Sequence, residues 1–178
     1  RDLHLSLRRQ RQMCIRDSCS CKLHMFNPHL STDHCPFCDA EKLLGAEDFR
    51  DVPNGLGVIE HRMDLLFQGV RTGEISLQRW VELCSTTPAR LFGLQGRKGI
   101  IAPGADADIV IFNPDTEHIL GASSHHMALD HSVWEGIKVQ GQSESVLSRG
   151  SFVIQDRHFV GRAGHGEFLK RSLPEPLR

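Results

Sequence analysis

The run Arg97-Lys98-Gly99-Ile100-Ile101-Ala102-Pro103-Gly104-Ala105-Asp106-Ala107-Asp108-Ile109-Val110-Ile111-Phe112 divides the chain into two kinds of structure. Gly99, Pro103 and Gly104 mark turns in its first half, and Ile109-Val110-Ile111-Phe112 closes it with the β-branched and aromatic side chains that fit a pleated surface. Apolar spacing before this run is helical, and after it the pattern is one of short strands. A chain that switches period once predicts an α/β fold in which helices of one unit are followed by strands of another.

Upstream, Ile59, Met63, Leu66, Phe67 and Val70 recur at spacings of four, three, one and three, which predicts a helix over about 60–70. Ser76 is an N-cap residue for a second helix with Leu77, Trp80, Val81 and Cys84 as its buried stripe. Thr87 as cap and Pro88 in the first turn predict a separate third helix, in which Leu91 and Phe92 pack and which Gly93 ends. Nearer the N-terminus a short helix is expected over 40–44, stopped by Gly45, and Asp51-Val52-Pro53-Asn54-Gly55 reads as a loop.

Downstream, Asn113-Pro114-Asp115 is expected to stop the strand that ends at Phe112. Ser145 to Leu147 and Phe152 to Ile154 flank Arg149-Gly150 and predict a hairpin, and His158 to Val160 adds a strand after the Gln155-Asp156 turn. So few strands do not close a sandwich, so this β-unit is expected to need strands from elsewhere.

Arg1-Asp2-Leu3-His4 and Arg8 to Ser18 read as the two arms of a translated transposon-type sequencing adapter, with Leu5-Ser6-Leu7 in the place of its variable index. The formal charge of -1 includes this stretch; without its five arginines and two aspartates, 16 basic residues face 20 acidic ones, a balance of -4. The cluster Arg8-Arg9-Gln10-Arg11 then gives no ground for a nucleic-acid partner. With 39% hydrophobic and 24% charged residues the chain has a globular composition. No apolar run approaches the roughly 20 residues that span a bilayer, and no apolar stretch follows the basic residues as in a secretory signal. A cytoplasmic protein with reduced thiols is expected.

Ser31-Thr32-Asp33-His34-Cys35-Pro36-Phe37 carries the densest chemistry. Asp offers an anionic oxygen, His a nitrogen and Cys a sulfur, all metal-ligating atoms. Taken by itself, Asp33 reads first as a cap for the loop or for the helix beginning near Ala40, ahead of a metal ligand. Cys35 and Cys38 have C-x-x-C spacing, but Cys19-Ser20-Cys21 is one residue too short to complete a four-cysteine zinc module.

In order along the chain stand Thr32-Asp33-His34-Cys35-Pro36-Phe37, Val52-Pro53-Asn54-Gly55, Glu60-His61-Arg62-Met63, Ser85 to Gly93, Arg97 to Gly104, Ala105 to Ile111, Ser124-His125-His126-Met127, Ser148-Arg149-Gly150 and Gly164 to Arg171. Together they resemble the C-terminal part of the dihydropyrimidinase and D-hydantoinase family, in the cyclic amidohydrolase branch of the amidohydrolase superfamily. The resemblance covers about His29 to Arg171. It implies the end of a TIM-type (β/α) barrel over 29–96, the C-terminal strands of a composite β-sandwich over 97–165 and a tail over 166–178, with 1–18 foreign and 19–28 unassigned.

The family site holds two zinc ions with bridging hydroxide and a carboxylated lysine. By resemblance Asp33 is a metal ligand, and also the general base and acid that moves a proton from the hydroxide to the departing ring nitrogen. Asn54 matches the loop residue whose backbone groups hold the imide edge of the substrate ring. The implied reaction opens a dihydropyrimidine or hydantoin to an N-carbamoyl amino acid. The other reading is a non-catalytic, dihydropyrimidinase-like scaffold, from which a metal Asp is expected to be missing. His34, Cys35 and the pair His125-His126 match positions outside the ligand set. The His-x-His pair, the lysine and the other histidines lie upstream in the family, so the chain is expected to be a fragment that is inactive alone. Its parent is expected to be a homo-oligomer, dimer or tetramer.

Overall fold

A computed structural model describes residues 30–174. The adapter reading of 1–18, the unassigned stretch 19–28 and the cysteines Cys19 and Cys21 lie outside the described residues. Four helical segments come first: α1 (Asp39–Lys42), continued by a 3-10 turn over Leu43–Gly45, then α2 (Arg62–Arg71), α3 (Leu77–Val81) and α4 (Thr87–Leu91). Four strands follow, β1 (Ile109–Ile119), β2 (Lys138–Ser148), β3 (Ser151–Gln155) and β4 (His158–Phe159), in one antiparallel sheet of order β1-β2-β3-β4.

Ser76 caps α3 as its sequence predicts, its hydroxyl accepting from Arg79 N at 3.1 Å. The expected break before Thr87 is absent. A π-helical turn over Glu82–Thr86 joins α3 to α4, and Thr87 is helical and buried instead of capping. Pro88 cannot donate a helical hydrogen bond and its ring crowds the preceding turn, and the wider π turn accommodates both. The buried face is therefore Trp80, Leu83 and Thr87, at spacings of three and four, while Leu77, Val81 and Phe92 are exposed.

The sheet is longer than its sequence suggests. Asn113-Pro114-Asp115 does not stop β1: Asn113 Oδ1 accepts from Asp115 N at 3.0 Å, the pairing with β2 slips between Asn113 and Glu117, and the strand resumes to Ile119. The β2–β3 hairpin turns at Arg149 and Gly150, with φ of 47° and 78°, the positive pair of a tight hairpin. The next turn is centred on Asp156 and Arg157, one residue later than expected. The run that opens the sheet is tied by ions: Lys98 Nζ lies 2.8 Å from Asp106 Oδ2 and also pairs with Asp108, whose Oδ1 accepts from Arg149 N at 2.8 Å.

Helix α2 stands between two apolar clusters. Leu66 and Phe67 join Ile75 and Trp80, with Phe112 of β1 packed against them, and Leu65 leans on Leu120, Val133, Trp134 and Val139. Phe67, Trp80 and Phe112 form a triangle of ring centroids 4.7 to 5.4 Å apart at steep mutual tilts, the favourable arrangement for aromatic quadrupoles. Helices and sheet thus share a core, which holds the loops preceding α2 in place.

Candidate active site

Asp33 and Asn54 come from two loops that run side by side. His34 and Leu56 form a parallel bridge, Cys35 N donates to Leu56 O at 3.1 Å, and Asp33 and Asn54 stand one and two residues before the bridged pair. His34 reinforces the pairing, its Nδ1 accepting from Val58 N at 3.1 Å and Ile59 N at 3.4 Å. Asp33 has φ of 47°, a left-handed conformation that aspartate adopts more readily than most residues other than glycine and that also occurs at the turn residues Arg149, Asp156 and Arg157. Both Asp33 and Asn54 are exposed, and among the described residues nothing hydrogen-bonds to the Asp33 carboxylate or to the backbone groups of Asn54.

Asp33 does not cap α1. Cys38 holds that position, its N–H donating to Glu41 Oε2 at 2.7 Å and its carbonyl accepting from Lys42 N at 3.1 Å. Gly55 lets the loops close up. Its φ is 136° and a Cβ there would stand 2.4 Å from Cys35 O, so only glycine fits. Lys42, at the end of α1, is 8% exposed; its ammonium donates to Gly55 O at 2.8 Å and to Pro53 O, and lies 5.0 Å from the centre of the Phe37 ring. Burial lowers its pKa, while Cys35 and Glu41 pull the other way. Sequence patterning missed Lys42, because its partners are eleven and thirteen residues away on a different element.

Three further groups escaped the sequence reading. His61 is 1% exposed, its ring nitrogens 3.4 Å from the hydroxyls of Ser124 and Ser132, and burial pushes its pKa down to about 4, helped by His125. Asp64 of α2 meets His118 of β1 at 3.1 Å, and burial pushes its pKa up to about 6 against the pull of His118. Asp39, Asp130 and His131 bring ligand atoms within 4.8 Å of one another, with His131 Nδ1 already engaged at 3.1 Å by Asp39 and 3.0 Å by Asp130. His126 is held by Glu60 Oε1 at 2.7 Å and by Arg157 O at 3.1 Å, and the His125 ring lies tilted against that of His61 with centroids 5.5 Å apart, so both are tied into the fold.

Asp33 belongs to no group of three metal-ligating side chains among the described residues. It supplies one carboxylate, too few for a two-metal centre.

The Amidohydrolase family profile matches residues 26–153. A D-hydantoinase of Streptomyces coelicolor is 51% identical over 149 residues, covering 83% of this chain and 32% of that protein. A D-hydantoinase of Geobacillus stearothermophilus is 48% identical over 145 residues, covering 80% and 31%. Among solved structures, D-hydantoinase from Bacillus sp. AR9 superposes with a TM-score of 0.85 at 46% identity over 89% of this chain and 35% of its own. Dihydropyrimidinase from Brevibacillus agri NCHU1002 does so with 0.85 at 44% over 90% and 35%. The chain spans about a third of the length of these curated relatives. A profile that covers most of the chain, and relatives that keep both the sequence and the fold, make this chain a member of the amidohydrolase family, whose members are generally metal-dependent.

Proposed function

We infer that the chain is the C-terminal third of a metal-dependent hydrolase that opens the ring amide of hydantoins or dihydropyrimidines to N-carbamoyl amino acids. The observation that carries this reading is the parallel pairing of the Asp33 and Asn54 loops, which brings into one place a carboxylate and a backbone donor and acceptor that have no hydrogen-bond partner among the described residues. A cyclic imide presents one N–H between two carbonyls, and the N–H and C=O of Asn54 match that edge. Asp33 takes a proton from the attacking water and returns it to the ring nitrogen as the C–N bond breaks, so one carboxylate serves as base and then acid. In a non-catalytic scaffold this Asp is expected to be lost, and here it is retained.

In the parent, helices α2 to α4 would end a (β/α) barrel, and Asp33 would be one ligand of a two-zinc centre that activates water, with its other ligands from residues outside 30–174. The sheet completes a β-sandwich with further strands: β1 is an edge strand, and it exposes Val110, Ile111 and Ile119. Phe168 and Leu173, 90% and 88% exposed, suit contact with a second subunit of a homo-oligomer. No described helix is long and apolar enough to cross a membrane. The free thiols of Cys35, Cys38 and Cys84 suit the reducing cytoplasm.

The test is a complete enzyme in which residues 30–174 replace the matching third of the S. coelicolor D-hydantoinase. It is expected to hydrolyse hydantoin or dihydrouracil and to lose that activity with Asp33→Asn. A folded, metal-loaded chimera with no hydrolysis would overturn the reading.

A further inference from the structure

We propose that Lys42 is a positioning residue for substrate binding: its ammonium clamps the carbonyls on either side of Asn54 and so presents the backbone of Asn54 to the ring. The proposal rests on the reading of Asn54 given above and deepens it.

Lys42 is 8% exposed, and among the described residues no carboxylate pairs with it. A buried charge must be compensated, and here two backbone carbonyls and one aromatic face do so. Those carbonyls belong to Pro53 and Gly55, the immediate neighbours of Asn54. Two donations from one ammonium therefore fix a three-residue arc at both ends and leave its middle residue alone. The N–H and C=O of Asn54 remain without a partner among the described residues.

The arc is also fixed from the other side. Gly55 abuts the backbone of Cys35, with room for no side chain, so the loop cannot slide along the Asp33 segment. Lys42 issues from the one-turn helix α1, which follows that same segment after Phe37, and the Phe37 ring lies against its ammonium. One lysine thereby links the segment after Asp33, through the Phe37 ring, with the helix that carries it and the loop bearing Asn54. A lysine is suited to this. Its compact ammonium has three donors that converge from one point, whereas the planar fork of arginine spreads its donors too widely for carbonyls two residues apart.

The experiment compares Lys42→Met, Lys42→Gln and Lys42→Arg in the complete hydrolase, with hydantoin kinetics and amide hydrogen exchange. Lys42→Met is expected to raise KM about tenfold or more with kcat changed less than about threefold, because the lost contacts orient bound substrate. Exchange over residues 53–57 is expected to quicken while α2 and the sheet keep their protection. Lys42→Gln keeps a polar head in the pocket if the methionine variant fails to fold, and is expected to show the same KM-dominated loss. Arginine is expected to recover part of it. Unchanged loop exchange in the Met and Gln variants overturns the inference. Faster exchange with unchanged KM supports the clamp and overturns the role given to Asn54, so the two failures are distinct.

Discussion

The ring of Phe67 lies so close over Gly141 that a Cβ on that residue would stand 2.3 Å from the ring edge. Gly141 has φ of 94° in the middle of β2, where it lets helix α2 settle on the sheet. Gly141→Ala is expected to destabilise the protein by about 2–4 kcal/mol, from overpacking and the positive φ together. Denaturant unfolding measures it; a change below about 0.5 kcal/mol contradicts the packing described here.

Asp33→Asn removes the carboxylate to which the proposed function assigns the proton transfer. In the complete hydrolase the expected loss of kcat is on the order of a hundredfold or more, with stability changed by less than about 0.5 kcal/mol because the side chain is exposed. Paired kinetics and thermal unfolding separate the two effects.

The 178-residue chain alone is expected to hydrolyse neither hydantoin nor dihydrouracil, since Asp33 has no companion ligands among the described residues. Sustained turnover by the pure chain would refute the proposed division of the site.

His61 and Asp64 are predicted to give opposite pH dependences. The pKa of His61 falls from 6.5 to about 4 on folding, under burial and the charges of His125 and His118 against Glu60 and Glu135. The unfolded chain then binds more protons between those values, so this group makes stability rise with pH from about 4 to 6.5. Asp64 goes from 3.8 to about 6, raised by burial and Glu60 against His118, so its contribution falls as pH rises over that range. Asp64→Asn is expected to leave the rising slope and His61→Asn the falling one, read as unfolding midpoints across pH 4 to 7; identical slopes in both variants would refute this.

Local signals account for what the sequence revealed. The cap at Ser76 and the hairpin at Arg149-Gly150 depend on residues within three positions of one another, and both are present. The roles proposed for Asp33 and Asn54 rest on motifs that stand in order along the chain; that their two loops pair is a long-range fact. Proline misled twice. At Pro88 a π turn absorbs the missing donor, and at Pro114 an irregular stretch lets β1 resume. Lys42, His61 and the Asp64–His118 pair were invisible because each becomes notable only through burial and partners 11 to 71 residues away.

The burial of Lys42 has a practical outcome for chemical labelling. Amine-directed acylating reagents reach exposed lysines such as Lys138 and Lys170 freely, while Lys42 is shielded and its ammonium donates to two carbonyls. Its resistance to acylation therefore serves as a footprint of the closed loop, readable by peptide mass mapping without any substrate or metal.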